Sequence, residues 1–385
     1  MPKILIFTAS YGGGHNSVAK ALSEYLQSHY PKTTVEVVDF MKRFVAGDKI
    51  MRMLYKQSTK RLPAAYDLFF KVTDKLFTPL ESQRFGAMKL NQDLLHTLWT
   101  TLTGFTKPLG KKILTPPLDK VREFLNESRP DIVVSVYPSA GIVASMLSME
   151  LGFKTATIIT DFGAHSQWIS PKTGLYFVPT DNLREFLIAK GIKPARIRVT
   201  GIPIRSAFSV KQKPATRHPF TVLLMSGEYG IGKIRKLCAQ LVKLPIKLVI
   251  VCGNNKRLYR KVSELKKKNH ARNLTIYGFT DQVHKLMAQS DVLIGKAGGI
   301  TVSEAMALGL PIIVYRPIPG QEIFNLDYLV NQGAALYARD RADAVAKVRF
   351  LSGNPGRLRE MKAKARRIGR PNATAHICRH LFKYL

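Results

Sequence analysis

A glycine-rich stretch around residue 300 has the residue types of a site for a phosphorylated ligand. It reads GKAGGITVSEAMALG over residues 295–309, and a short apolar run before it predicts the end of a strand. Gly298 and Gly299 let the backbone approach a bulky group, and the hydroxyl residues Thr301 and Ser303 predict the start of a helix. The first amides of a helix lack intrahelical acceptors and lie at the positive end of its dipole. This start therefore favours an anion such as a diphosphate.

Polar side chains suited to a sugar follow the glycine-rich stretch. We expect Glu304 in the first turn of the helix, where a carboxylate can accept hydrogen bonds from vicinal hydroxyls. A second apolar strand, Pro311–Val314, precedes a loop with Gln321, Glu322 and Asn325, which have the polarity to hold a hexose. The alternative for the glycines alone is an ordinary strand-to-helix turn with a capping acid.

The N-terminus has a second glycine-rich turn of this kind. Lys3–Thr8 has the pattern of a fully buried strand, and the sequence ASYGGGH then leads into a helix predicted over Asn16–Ser28. Gly13 and Gly14 permit close backbone approach. His15 falls at the positive end of the helix, which lowers the pKa of a histidine and favours the neutral form that acts as a base. The alternative is a histidine that caps the helix and packs.

A polar loop follows another buried strand in the first half of the chain. Thr155–Thr160 is predicted as a strand, and the sequence DFGAHSQW comes directly after it. Open α/β sheets bind ligands at the carboxyl ends of their strands. Asp161, His165 and Trp168 are therefore candidates for contacts with an acceptor substrate, although an Asp and a His four residues apart also occur in plain loops.

The order of predicted elements indicates an α/β protein with two domains in tandem. Strands alternate with helices, a Pro- and Lys-rich linker spans residues 207–219, and the pattern of strand, glycines and helix then restarts. We predict an N-terminal domain over 1–206 with a mostly helical insert at about 41–127, a C-terminal domain over 207–370 and a terminal helix over 371–385. The glycine-rich ends of both domains are expected to face a central cleft.

The charge of the chain indicates an anionic partner. Its 385 residues carry a net charge of +34, with the larger share of the excess after residue 207. Nucleic acid, an acidic membrane surface and a phosphorylated substrate all fit this charge. The predicted insert mixes aromatic and Met residues with Lys and Arg, which suits an anionic membrane surface; packing of its helices on the domain core is the alternative.

Cysteine usage and hydropathy bear on the compartment. Cys238, Cys252 and Cys378 are far apart and match no metal-ligand spacing, which fits a reducing cytosol. The start MPKILIFTAS runs directly into a strand without the features of a signal peptide. No clean run of about 20 apolar residues occurs. We therefore expect any contact with a membrane to be peripheral.

These motifs together resemble glycosyltransferase family 28, in particular bacterial processive diacylglycerol glucosyltransferases and plant monogalactosyldiacylglycerol synthases. The resemblance covers nearly the whole chain, and the N-terminal and C-terminal motifs are specific only in combination. The matching stretches are TASYGGGHNSVAKAL, TDFGAHSQW, VTGIPI, YGFTDQVHKLMAQSDV, KAGGITVSEAMALGLP and PGQEIFN.

The resemblance implies a GT-B fold, a UDP-sugar donor held mainly by the C-terminal domain, an inverting single displacement and no requirement for a metal or other cofactor. Glu304 would bind the ribose, Phe279 would lie beside the uracil, and Gly227 and Asn254 would line the donor site. The hexose would be held by the side chains of Gln321, Glu322 and Asn325. The diphosphate would be held by the amides of Gly298, Gly299, Ile300 and Thr301.

The resemblance leaves the catalytic base between two residues. His15 would face the reacting centre and deprotonate or position the glycerol hydroxyl, and Asp161 is its main rival. Some plant relatives have an Asp just before the glycine run, where this chain has Ser10 and Tyr11. An acid in that role is absent from this stretch.

The resemblance thus implies transfer of glucose from UDP-glucose to 1,2-diacylglycerol, with further units added in succession. The enzyme would lie at the cytoplasmic face of the cell membrane and bind anionic lipids but no nucleic acid. Galactosyl transfer to diacylglycerol and a UDP-sugar 2-epimerase activity are the enzymatic alternatives. A nucleic-acid-binding protein is suggested by the charge alone, because no helix-turn-helix, zinc-finger or RNA-recognition signature appears.

Overall fold

The computed structural model describes residues 1–11, 13–49, 52–53, 63–76, 118–210, 219–225 and 234–385. The chain divides into two compact units. The first contains Met1–Arg205, Pro319–Gln321 and Asn372–Leu385. The second contains Ser206–Ile318 and Glu322–Pro371. The last helix of the chain therefore belongs to the first unit.

The first unit has a six-stranded parallel sheet within the described residues, in the order β2-β1-β3-β4-β5-β6. Nearly every residue of its central strands is buried, which explains their continuous apolar runs: a parallel sheet is covered by helices on both faces. The strands are β1 (Lys3–Thr8), β2 (Thr34–Asp39), β3 (Ile132–Ser135), β4 (Lys154–Ile158), β5 (Leu175–Val178) and β6 (Ile197–Val199).

The helices of the first unit alternate with these strands. The described part of the predicted insert over 41–127 is mostly helical, and the rest of that insert lies outside the described residues. The helices are α1 (Gly13–His29), α2 (Phe40–Phe44), α3 (Pro63–Leu76), α4 (Leu118–Ser128), α5 (Pro138–Leu151) and α6 (Asp181–Ala189), with α14 (Ala373–Tyr384) at the end of the chain.

The second unit also has a six-stranded parallel sheet within the described residues, in the order β12-β11-β10-β7-β8-β9. Its strands are β7 (Thr221–Met225), β8 (Lys247–Val251), β9 (Leu274–Tyr277), β10 (Val292–Gly295), β11 (Ile312–Tyr315) and β12 (Ala335–Ala338). Its helices are α7 (Ile234–Leu241), α8 (Lys256–Lys268), α9 (Val283–Ala288), α10 (Gly299–Ala307), α11 (Gln321–Asn331), α12 (Arg341–Gly353) and α13 (Pro355–Ile368).

Each sheet has a point where its strand order reverses. In the first unit β2 and β3 lie on opposite sides of β1, and in the second unit β8 and β10 lie on opposite sides of β7. Parallel sheets of this kind bind ligands at the carboxyl ends of the strands that flank such a point. Helix α1 begins just after β1 and helix α10 just after β10, so both glycine-rich turns lie at these positions.

Among the helices that the structure describes, none combines the length and the apolar character that a membrane span requires.

Candidate functional site

The turn between β10 and α10 brings together backbone amides without intrahelical acceptors at a helix start. Gly298 is the N-cap residue in an extended conformation, with φ −67° and ψ 132°, and no side chain caps the helix. The first helical bond runs from the Val302 amide to the Gly298 carbonyl at 3.0 Å. The amides of Gly299, Ile300 and Thr301 precede that bond and have no intrahelical acceptor. This is the arrangement that an anion requires.

The helix begins earlier than the sequence predicted. Thr301 and Ser303 lie inside α10 rather than at its start, and the Ser303 hydroxyl donates to the Gly299 carbonyl at 2.9 Å. Gly298 needs no side chain for its role, because the chain leaves the strand in an extended conformation and turns directly into the helix. Consequently Glu304 lies in the second turn, not the first, and it is buried with 6% of its surface exposed.

The three polar residues assigned to a hexose lie on a helix, not in a loop. Gln321, Glu322 and Asn325 occupy the first turns of α11. The loop prediction was wrong because the chain turns at Gly320, whose φ of 86° is accessible to glycine, and the helix begins at the next residue. The fully buried Asn325 amide donates to the Ala297 carbonyl at 2.7 Å. Asn325 thereby braces the turn that precedes α10.

Glu322 lies beside the start of α10. A Cβ atom placed on Gly298 would lie 3.9 Å from its Oε1 atom. The Ile318 amide donates to Oε2 at 2.7 Å, and the Lys296 ammonium lies 3.5 Å from Oε1. Burial raises the pKa of the Glu322 carboxyl, while Lys296 and the Ile318 amide oppose that shift. Lys296 was not among the residues predicted from the sequence, although it directly follows a buried strand.

The remaining residues assigned to the donor follow the carboxyl ends of neighbouring strands. Asn254 is exposed just after β8, and Phe279 is 76% exposed just after β9. An aromatic ring with so much free surface is available to stack on a base. Because carboxyl ends of parallel strands meet at one edge of the sheet, both residues share the edge from which α10 begins. Gly227 lies outside the described residues.

In the first unit, His15 lies in the first turn of α1. This helix begins at Gly13, three residues earlier than predicted, so Gly13, Gly14 and His15 together form its start. Burial lowers the pKa of His15 to about 4, and a hydrogen bond to the Val136 backbone opposes that shift in part. The carbonyl can only accept, so one ring nitrogen carries the proton. The imidazole is therefore neutral at pH 7, with a lone pair on its other nitrogen.

Aromatic rings surround His15. The Tyr137 ring centroid lies 5.3 Å from that of His15 in an edge arrangement, and the Trp168 centroid lies at 6.3 Å. Tyr11 stacks on Tyr137 at 5.7 Å. Burial raises the pKa of Tyr137 to about 12, so the phenol is neutral. Sequence reasoning missed both tyrosines, but each follows the end of a buried strand, β1 or β3.

The rival candidate for the base is a close neighbour of His15. The Thr160 hydroxyl lies 3.5 Å from Nδ1 of His15, and Asp161 is the next residue along the chain. Asp161 is half-buried in the turn after β4. The structure therefore places both candidates at the same edge of the first sheet.

His165 has a bracing role in this structure. Its Nδ1 accepts from the Gln167 amide at 3.1 Å, and its Nε2 contacts the Phe70 carbonyl at 3.2 Å. The Asp74 carboxylate accepts from the Ser166 amide at 2.7 Å. Burial lowers the pKa of His165, and Asp74 opposes that shift. Nε2 of His165 and the Asp74 carboxylate thus tie α3 to the loop after β4, while Nδ1 bonds within that loop. Contact between His165 and an acceptor stays a prediction.

A carboxylate lies next to the position where the sequence analysis found no acid. The Ser10 hydroxyl donates to Oδ2 of Asp39 at 2.5 Å, and the side-chain amide of Asn16 donates to the Ser10 hydroxyl oxygen at 3.0 Å. Asp39 ends β2, which pairs with β1, so the sheet brings it to the glycine turn. Its other oxygen accepts from the Lys42 amide at 3.0 Å. The signal in the sequence was an acid at the end of an adjacent strand.

In the part of the chain that the structure describes, no group of three or more His, Cys, Asp or Glu residues is arranged to hold a metal ion.

Two family models match segments of the chain, one on each side of the predicted linker. Residues 98–204 match the family described as monogalactosyldiacylglycerol (MGDG) synthase, and residues 219–368 match glycosyl transferases group 1. The chain is 29% identical over 386 residues to the processive diacylglycerol beta-glucosyltransferase of Bacillus mycoides strain KBAB4, which covers 98% of this chain and 92% of the relative.

Two solved structures share the fold. Acinetobacter baumannii MurG has a TM-score of 0.61 at 17% identity, covering 99% of this chain and all of MurG. The Neisseria meningitidis UDP-GlcNAc 2-epimerase bound to UDP-GlcNAc has a TM-score of 0.59 at 14% identity, covering both chains completely. The predicted α/β class and GT-B fold are confirmed. The MGDG synthase match and the Bacillus mycoides relative confirm the predicted resemblance, and the chain is a glycosyltransferase.

Proposed function

We propose that the chain transfers glucose from UDP-glucose to the free hydroxyl of 1,2-diacylglycerol with inversion at the anomeric carbon, and that it can add further glucose units. The observation that carries this proposal is the start of α10, where amides without intrahelical acceptors lie beside a lysine and a buried carboxylate. The diacylglycerol acceptor and the glucose are supported by the name of the Bacillus mycoides relative.

The donor half of the reaction follows from charge. When the bond between the anomeric carbon and the phosphate oxygen breaks, its electron pair stays on the diphosphate. The amides of Gly299, Ile300 and Thr301 would stabilise this charge without a metal ion. Glu304 would accept hydrogen bonds from the ribose, Phe279 would stack on the uracil, and Gln321 and Glu322 would face the hexose. Asn325, which is fully buried, would brace the turn before α10 instead of facing the sugar. UDP-glucose has an α-linked sugar, so a β-linked product requires inversion.

The acceptor half requires that a hydroxyl lose its proton as it attacks. His15 is neutral at pH 7, and its unprotonated ring nitrogen has a lone pair, which supports it as the proton acceptor. Its low pKa makes it a weak base, so the proton would move late, when the new carbon–oxygen bond has made the hydroxyl acidic. Asp161 stays the rival, and Tyr11, Tyr137 and Trp168 would supply apolar surface for the glycerol end of the lipid.

The test is thin-layer chromatography of the lipid products formed from dioleoylglycerol with UDP-glucose or UDP-galactose. We expect glucolipids carrying one or more sugars with UDP-glucose. A product only with UDP-galactose would replace glucosyl with galactosyl transfer. Release of a free epimer without any lipid product would favour the 2-epimerase, whose fold this chain shares.

We further propose that the enzyme binds anionic lipids at the cytoplasmic face of the membrane. The net charge of +34 supports this, because each Lys or Arg near an anionic surface contributes about 1 kcal/mol. In co-sedimentation with vesicles, binding should increase with the fraction of phosphatidylglycerol and decrease with salt. Equal binding to neutral vesicles in high salt would contradict an electrostatic surface.

A further inference from the structure

Two lysine–carboxylate pairs stand at opposite ends of β10. At the amino end, Lys362 lies 2.7 Å from Oδ1 of Asp291, and Oδ2 of that aspartate accepts from the Thr221 amide at 2.9 Å. At the carboxyl end, Lys296 pairs with Glu322. Because ligands bind at the carboxyl ends of parallel strands, only the second pair is positioned to meet one.

The two pairs also differ in the distance between the lysine nitrogen and the carboxylate oxygen. The distance of 3.5 Å between Lys296 and Glu322 exceeds the 2.7–2.9 Å typical of a charge-assisted hydrogen bond, whereas the other pair reaches that range. The Lys296 side chain is only 15% exposed, so it has lost most of its hydration. Glu322 is its one ion-pair partner among the residues that the structure describes. An ammonium group has three N–H donors, so this pair leaves donors for a ligand.

The position of Glu322 poses an electrostatic problem for a diphosphate. Its Oε1 atom would lie 3.9 Å from a Cβ atom on Gly298, at the helix start where the diphosphate is expected. A carboxylate this close repels an anion, and burial makes the repulsion stronger than in water. A cation shared between the carboxylate and the anion removes the conflict.

We propose that Lys296 is a phosphate-positioning residue, whose ammonium group bridges Glu322 and the sugar-linked phosphate of the nucleotide sugar. This inference rests on the proposed function and names a contact within that site. Lys296 keeps its proton throughout and supplies charge only. As the bond to the anomeric carbon breaks, the charge on the phosphate increases, and so does its attraction to the ammonium group.

A purely structural role is the competing explanation, in which Lys296 only neutralises Glu322. The two explanations differ in which nucleotide binds more weakly when the lysine is removed. UMP lacks the second phosphate, so a bridging lysine affects UDP far more than UMP. A structural counter-ion affects both nucleotides equally, and its loss is repaired when Glu322 is neutralised as well.

The experiment is isothermal titration calorimetry of the full chain with UMP and with UDP. Lys296→Met should weaken UDP binding roughly 10- to 100-fold, as expected for a lost hydrogen bond to a charged group, and UMP binding less than about threefold. Lys296→Arg should retain most of the affinity for UDP. In Lys296→Met/Glu322→Gln the affinity for UDP should stay below that of the wild type.

Lys362→Met is the matched control, since it removes a lysine from the similarly buried pair at the opposite end of β10. It should lower the melting temperature and leave the ratio of UDP to UMP affinity unchanged. Glu322→Gln alone retains the lysine and removes the carboxylate that repels the diphosphate, so it should tighten UDP binding, which keeps the test decisive should Lys296→Met fail to fold.

Equal losses for UMP and UDP in Lys296→Met, recovery of UDP affinity in the double variant, or weaker UDP binding in Glu322→Gln would each overturn the role of Lys296. Failure of the wild-type protein to bind UDP at all would instead overturn the proposed function. The two failures are therefore distinguishable.

Discussion

The starts of α1 and α10 are built alike but surrounded differently. Each helix begins with glycine residues just after a strand that flanks the reversal point of a parallel sheet. Around the start of α1 lie a neutral histidine and aromatic rings. Around the start of α10 lie amides without intrahelical acceptors, an ammonium group and a buried carboxylate. The same backbone design is therefore surrounded by a neutral imidazole and aromatic rings, with the Asp39 carboxylate on the adjoining strand, in one unit, and by an ion pair in the other.

This difference matches the two substrates of a glycosyl transfer to lipid. A nucleotide sugar is a dianion whose leaving group gains charge, and it needs fixed donors and a cation. A diacylglycerol is neutral, and its hydroxyl needs apolar contact and a proton acceptor. The glycine turns alone do not indicate which unit serves which substrate. The side chains on adjacent strands make that distinction.

The largest expected effect is on kcat, from a substitution at the start of α1. His15→Ala should lower kcat by roughly 10²- to 10⁴-fold, the usual contribution of a general base, with little change in KM for UDP-glucose. Initial rates with saturating dioleoylglycerol would measure both constants. The matched control is His29→Ala, because His29 is exposed in the last turn of the same helix and should leave both constants unchanged.

An unchanged kcat in His15→Ala, together with a large loss in Asp161→Asn, would transfer the role of base to Asp161. If His15→Ala instead increased only the KM for UDP-glucose, the assignment of the acceptor to the first unit and the donor to the second would be contradicted.

On the charged side, the next largest effect is expected at Glu304. Glu304→Gln retains the size of this buried residue but weakens its acceptance of hydrogen bonds from the ribose, so affinity for UDP should fall about 10-fold or more. Calorimetry with 2′,3′-dideoxy-UDP provides the control, since that ligand lacks both hydroxyls. The wild type and the variant should bind the dideoxy ligand equally, and a persistent difference would reject the ribose contact.

The sequence was sufficient to predict the alternating fold, because a buried parallel strand requires a continuous apolar run. Strand β1 has the bounds Lys3–Thr8 that were predicted from its run. Helix starts were less accessible. A glycine N-cap such as Gly298 leaves no side-chain signal, so the start of α10 was assigned to the hydroxyls that follow.

Residues that act through neighbouring strands could not be predicted from local sequence. Tyr137, Asp39 and Lys296 each lie at the end of a strand, but their relevance depends on which strands are adjacent. The strand order brings Asp39 beside Ser10, and the helix after β11 brings Glu322 beside Lys296. Such pairings depend on contacts between residues far apart in the chain, which one sequence does not reveal.

A smaller effect is expected at Gly298. A Cβ atom there would meet Oε1 of Glu322 at 3.9 Å, an ordinary van der Waals distance, so Gly298→Ala should fold normally. The methyl group would nonetheless occupy space next to the amides, and affinity for UDP should fall several-fold. Calorimetry and thermal melts would separate the two effects. Normal UDP binding in a folded Gly298→Ala would show that no phosphate approaches this turn closely.

The smallest effect concerns pH and returns to the comparison. His15 has a pKa lowered by burial to about 4, so it stays neutral while an ordinary histidine, with a pKa of about 6.5, becomes protonated. Since a protonated imidazole cannot accept the hydroxyl proton, kcat should change less than about twofold between pH 7.5 and 5.5. Initial rates with saturating substrates in a buffer series at constant ionic strength would measure this. An acidic limb centred near pH 6.5 that disappears in His15→Asn would show that His15 titrates as an ordinary histidine. Burial at the start of α1 would then not control its protonation.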